Sequence, residues 1–123
     1  MLFRSLGKKY PGTGLSSRPM TNIYLDAAEH ATLAALPAAP LTKRRHDVGD
    51  GFAIDVFEGA LSGLVLAEVS ADDDAALVTV AVPSWCVAEV TDDPVYAGGT
   101  LAIEGWHDRT RTGVIRAGEG DEA

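Results

Sequence analysis

Cysteine is almost missing from this 123-residue chain. Cys86 stands alone, so no internal disulfide can close and no cysteine-based metal site can be assembled; a reducing, cytoplasmic setting is the expectation. Long apolar runs are also missing. The stretches around 31–39 and 64–67 fall far short of the ~20 residues that a membrane helix needs, so no membrane partner is expected. The first ten residues hold basic groups without an apolar stretch behind them and do not read as a secretory signal. There is no internal repeat and no long low-complexity tract.

Positive charge is the absence that organises the rest. Residues 1–46 hold seven Lys/Arg against two Asp/Glu, whereas residues 47–102 hold eleven Asp/Glu and no Lys or Arg. With a formal net charge of −8 the chain would be repelled by nucleic acid, and no nucleic-acid partner is expected. A basic segment followed by an acidic one suits a site that needs both signs. The hydrophobic share of 46% and charged share of 23% are those of a folded protein, and the length supports one core.

The segment Pro11–Ser17 reads as a loop by its glycines and serines, and Thr21–Leu25 as a short strand. Asp26-Ala-Ala-Glu29 is a helix start, because Asp26 can accept orphan amide hydrogens while Glu29 reaches back. That helix runs to Leu36 and stops at Pro37. Leu41–Asp47 alternates as a strand, Gly49-Asp50-Gly51 turns the chain, and Phe52–Phe57 and Leu64–Ser70 follow as strands. Asp72-Asp73-Asp74 caps a short helix ending near Val78. Trp85–Val90 is a fourth strand candidate, and Asp92-Asp93-Pro94 opens another short helical piece. After Ala102 the pattern fails, so residues 103–123 are expected to be an irregular tail.

The simplest registers pair Val48 with Phe52 and Gly59 with Leu64. Arg45 then lies opposite Asp55, and Asp55 opposite Glu68, with Lys43 diagonally near: a row of charges on one sheet face. Leu64, Leu66 and Phe57 share that face, which suits an enclosed, partly dry site. The other face carries Phe52, Ile54, Val56, Val65, Ala67 and Val69 as a core layer, expected to lie against the Asp26–Leu36 helix or the Trp85 strand. Trp85 and Tyr96 read as core, Arg18, Arg44 and His46 as surface groups, and Glu89 and Asp93 as cap and turn groups.

The runs Leu41-Thr-Lys-Arg-Arg45, Ile54-Asp-Val-Phe-Glu-Gly59, Gly63-Leu-Val-Leu-Ala-Glu68-Val69, Glu89-Val-Thr-Asp-Asp93 and Gly98-Gly-Thr-Leu-Ala102, in this order, resemble the CYTH superfamily of class IV adenylate cyclases, thiamine triphosphatases and inorganic triphosphatases. The resemblance implies an α+β fold built on an antiparallel β tunnel or half-barrel with short helices. Residues 1–102 would be the C-terminal portion of that domain, its first strands missing. It further implies that Lys9, Lys43 and Arg45 grip phosphates. Asp55 and Glu68 would hold Mg²⁺ or Mn²⁺, since hard cations prefer oxygen ligands. Inorganic triphosphate, thiamine triphosphate or ATP would be the ligand. The family's opening Glu-x-Glu-x-Lys strand has no counterpart here, its later Glu-x-Glu reads Glu68-Val69-Ser70, and the acidic residue two before Asp55 is Ala53. Three outcomes follow: a metal-dependent triphosphatase or cyclase, impaired by these losses; a non-catalytic binder of triphosphate or other phosphate-rich anions; or a fragment without function that self-associates through exposed strands.

Overall fold

The computed structural model describes residues 3–10, 19–106 and 113–118. It is an α+β arrangement of two open sheets and a few short helices. A two-stranded antiparallel sheet comes first, β1 (Ser5–Lys9) against β2 (Met20–Tyr24). The loop expected at Pro11–Ser17 lies outside the described residues, as does Arg18. Helix α1 (Ala27–Ala34) follows with the expected capping box: the Glu29 amide donates to Asp26 Oδ1 at 2.8 Å and the Asp26 amide to Glu29 Oε1 at 2.9 Å. Nothing in α1 is buried.

The second sheet holds five strands in the order β3-β4-β5-β7-β6. Strands β3 (Lys43–Gly49), β4 (Phe52–Phe57) and β5 (Val65–Ala71) form an antiparallel meander. At the β3–β4 turn Asp50 and Gly51 both take positive φ (55° and 78°), the pattern of a tight primed turn. A bulge between Asp47 and Gly49 absorbs one residue, yet Arg45 stays opposite Asp55 as the sequence suggests. The β4–β5 register differs from expectation. Phe57 N–H donates to the Leu64 carbonyl, and Asp55 faces Leu66 while Glu68 faces Ala53. A short 3₁₀ turn at Gly59–Leu61 lengthens the connection and moves the pairing by two residues. Two is the strand period, so every side chain keeps its face.

The remaining elements are α2 (Asp74–Val78, capped by Asp73), the two-residue β6 (Ala88–Glu89), a 3₁₀ turn at Pro94–Tyr96, α3 (Gly98–Glu104) and β7 (Gly113–Gly118). The Trp85–Val90 strand shrinks to β6. The tail expectation for 103–123 gives way in part: α3 reaches Glu104, and β7 runs parallel to β5 and β6, between them. The described strands do not close into a barrel.

The five-stranded sheet buries apolar side chains on both faces. On one, Phe57, Leu64 and Leu66 lie beneath Leu61, Val90, Tyr96, Leu101 and Trp106. On the other, Phe52, Ala67 and Val69 pack with Leu77 of α2. Of the expected core layer, Ile54 and Val65 are half-buried and Val56 is exposed. The cover is α2 together with the Trp85 segment, whose Cys86 packs on this cluster and whose Trp85 meets Phe52; the Asp26–Leu36 helix does not contribute, since α1 buries no residue. Tyr96 is core, as expected. Trp85 is not: it is 54% exposed and meets Phe52 edge-on at 5.9 Å.

Candidate functional site

The candidate site sits on the face of β3, β4 and β5 that also buries Phe57, Leu64 and Leu66. Odd-numbered positions of β3 and β4 and even-numbered positions of β5 point the same way, which gathers Lys43, Arg45, Asp55 and Glu68. Asp55 is the centre. It is 3% exposed, the buried charged residue of the described chain. Arg45 reaches it in a fork, Nε to Oδ1 at 2.8 Å and Nη2 to Oδ2 at 2.9 Å. Lys43 Nζ donates to Oδ2 at 2.8 Å and sits 5.7 Å from the Phe57 ring centroid. Arg45 Nη2 also donates to Glu68 Oε2, so one guanidinium spans from β3 to a carboxylate on β5.

The electrostatics follow from this geometry. Burial pushes the Asp55 carboxyl up, but hydrogen bonds and charge from Arg45 and Lys43 outweigh it and hold the carboxyl below its usual range. The bond to Asp55 raises the Arg45 value, with burial opposing and Glu68 adding to the rise. The four side chains carry two positive and two negative charges, so the network is neutral in itself. Its cations are not sealed in: the Lys43 side chain is 25% exposed and that of Arg45 33%. An ammonium has three donors and a guanidinium five; Asp55 takes one from Lys43, and the two carboxylates engage only Nε and Nη2 of Arg45.

The donor set does not fit a divalent cation. Both Asp55 oxygens already accept from positively charged groups, and Glu68 shares the same guanidinium. A metal bridging the two carboxylates would sit against Arg45 and Lys43, like charge against like. Among the described residues no group of three or more His, Cys, Asp and Glu side chains gathers around one point. Asp55 and Glu68 therefore act here as partners of the basic groups.

The other candidates lie elsewhere. Lys9 is on β1, in the two-stranded sheet rather than the five-stranded one that holds Lys43, Arg45, Asp55 and Glu68. Arg44 alternates to the opposite face and pairs with Glu58 at 2.6 Å. Asp93 caps the 3₁₀ turn at Pro94–Tyr96 through the Val95 amide, and Glu89 accepts from Thr91 Oγ1 at 3.1 Å. Sequence reasoning missed Trp106, which helps to roof the apolar part of the charged face and is 3% exposed. It falls in a segment whose glycines and charges hide any period.

Compared with known proteins, the chain matches no protein-family model, no curated protein and no solved structure. The resemblance to the CYTH superfamily rests on the sequence segments quoted above.

Proposed function

We propose that this chain is a non-catalytic binding module for a phosphate-rich anion such as inorganic triphosphate, gripped by Lys43 and Arg45 on a CYTH-like sheet wall. One observation carries the reading. A buried carboxylate, Asp55, fixes two basic side chains side by side while their outer donors still reach solvent. Cations held in advance lose little conformational freedom when a ligand arrives, and guanidinium–phosphate bonds are among the stronger hydrogen bonds. Asp55 is then a positioning residue, and Glu68 completes the hold on Arg45. The tunnel geometry and the Mg²⁺ or Mn²⁺ chemistry of the triphosphatases and cyclases are not needed for this role, and the donor set argues against the metal.

Titration calorimetry with sodium triphosphate, in buffer with EDTA and again with Mg²⁺, tests the reading. Binding should weaken with salt, persist in EDTA, and fall about tenfold in either Lys43→Ala or Arg45→Ala, in line with the loss of a charge-assisted hydrogen bond. No phosphate release is expected with Mg²⁺ or Mn²⁺ and triphosphate, thiamine triphosphate or ATP. Affinity unchanged by both substitutions, or binding that appears only with Mg²⁺, overturns the proposal.

A further inference from the structure

The hairpin β1–β2 and helix α1 leave apolar side chains uncovered, with Leu6 and Ile23 on one face of the hairpin and Tyr24 on the other. Phe3, Leu6, Ile23, Tyr24, Leu33 and Leu36 are all exposed, Tyr24 by 74%, and neither the hairpin nor α1 contains a buried residue. A two-stranded sheet alone is marginally stable in water, as is a helix of this length. Something must cover this arm. The link to the rest of the chain, Leu36-Pro37-Ala38-Ala39-Pro40-Leu41, carries two prolines in exposed, irregular backbone. Each proline biases the residue before it to an extended backbone, and the link ends at Leu41, which packs against the body's core.

The charges say what covers it. From Phe3 to Leu25 the described hairpin carries Arg4, Lys8 and Lys9 and no carboxylate, while Asp26 and Glu29 lie at the start of α1. In the body all three basic side chains of β3 are paired with carboxylates of the body, Lys43 and Arg45 with Asp55 and Glu68 and Arg44 with Glu58. No further Lys or Arg occurs before residue 107, and Asp50, Asp72, Asp73, Asp92 and Glu104 are exposed. The body is thus acidic where the hairpin is basic. It also offers an apolar groove of about 470 Å³ lined by Val48, Phe52, Ile54, Pro83 and Trp85, with Asp50 among them.

We infer that the arm of one copy docks on the body of a second copy, placing the Phe3–Tyr24 side of the hairpin in the Val48–Trp85 groove, reciprocally, in a two-fold symmetric dimer. Tyr24 and Phe3, whose ring centroids are 5.8 Å apart, are the aromatic anchors, and the arm's basic residues steer the encounter.

Sedimentation velocity on the full chain over a concentration series, at low and high salt, is the test. A dimer is expected, weakened by salt. Tyr24→Asp on the arm and Val48→Asp in the groove should each weaken it by about tenfold or more. The double change Arg4→Glu and Lys8→Glu should do so mainly at low salt. Circular dichroism melts of these exposed-site variants show whether the body stays folded; Leu33→Asp on α1 provides a second arm probe if Tyr24→Asp disturbs the hairpin. A chain that is monomeric at every concentration overturns the inference. So does a dimer indifferent to both arm substitutions, and so does one that Tyr24→Asp weakens and Val48→Asp leaves intact, because the receiving surface would then lie elsewhere.

Discussion

Removing the Asp55 carboxylate is the sharpest perturbation that the structure offers. Its three hydrogen bonds, 2.8, 2.8 and 2.9 Å, all come from cations, and the residue is 3% exposed. In Asp55→Ala, Lys43 loses its partner and Arg45 keeps only Glu68. Breaking a fully buried pair by deleting one member costs about 3–5 kcal/mol. The Lys43 and Arg45 side chains are a quarter to a third exposed, so water recovers part of that loss and brings it below this range, to about 2–3 kcal/mol. For a chain of this size that corresponds to a fall in Tm of roughly 10 °C. Urea unfolding followed by the fluorescence of buried Trp106 measures it, with Trp85→Phe as background to remove the exposed indole. The m-value should not change. Glu68→Gln should cost about 0.5–1 kcal/mol, because the Glu68 pair is less buried and Asp55 still holds Arg45. A triple exchange of Lys43, Arg45 and Asp55 for Met, Met and Leu should recover most of the loss while abolishing anion binding. An Asp55→Ala cost below about 1 kcal/mol would refute the view that this carboxylate organises the face.

Acid should reproduce the same loss. The folded-state value of Asp55 lies below its unfolded value, so its contribution is fully present above about pH 4, and falls away as pH drops through the folded value. Urea midpoints between pH 7 and pH 2 should show that fall, and Asp55→Asn should flatten it. At Gly51, φ is +78° and an added Cβ would meet the Ser70 carbonyl oxygen at 2.7 Å, so Gly51→Ala should destabilise by about 2 kcal/mol or more. Gly63→Ala, with positive φ but open space, should cost about 1 kcal/mol, and equal losses at the two positions would count against the β4–β5 pairing described here. Leu64→Ala, at a fully buried site, should cost about 3 kcal/mol by the same unfolding assay.

How much of this was legible in the sequence depends on the range of the interaction that decides each element. The Asp26–Glu29 capping box, the Asp50-Gly51 turn and the Phe52–Phe57 strand are local, and their residues state them directly. The β4–β5 register is not local. Loop residues Glu58–Gly63 leave its length open, and only the burial of Leu61 and Leu64 under Tyr96 and Leu101 selects the 3₁₀ turn that moves it by two. Strand β7 was illegible for the same reason. A parallel strand takes its pairing from a partner far away in sequence, here β5, and needs no turn signal of its own. The choice of α2 over α1 as cover likewise turns on Leu77, one residue in a five-residue helix.

The charged row was legible because faces survive a slip that residues do not. The expected pairing set Asp55 opposite Glu68, and the structure sets it opposite Leu66, yet Arg45 touches both carboxylates because its long guanidinium side chain on β3 reaches Asp55 on β4 and, across β4, Glu68 on β5. What alternation could not supply was depth. It places Leu66 and Phe57 beside Asp55, but only the roof of Tyr96, Leu101 and Trp106, assembled from residues thirty or more positions later, makes that neighbourhood dry. Depth in turn decides the chemistry. A carboxylate at the surface is open to a metal or to water. One buried among apolar side chains must be neutralised by whatever lies within reach, and here that is Arg45 and Lys43. Alternation alone already suits a partly dry face, and the metal role comes only from the family resemblance; with Asp55 buried this deeply beside Arg45 and Lys43, the same four residues form a preset pair of cations.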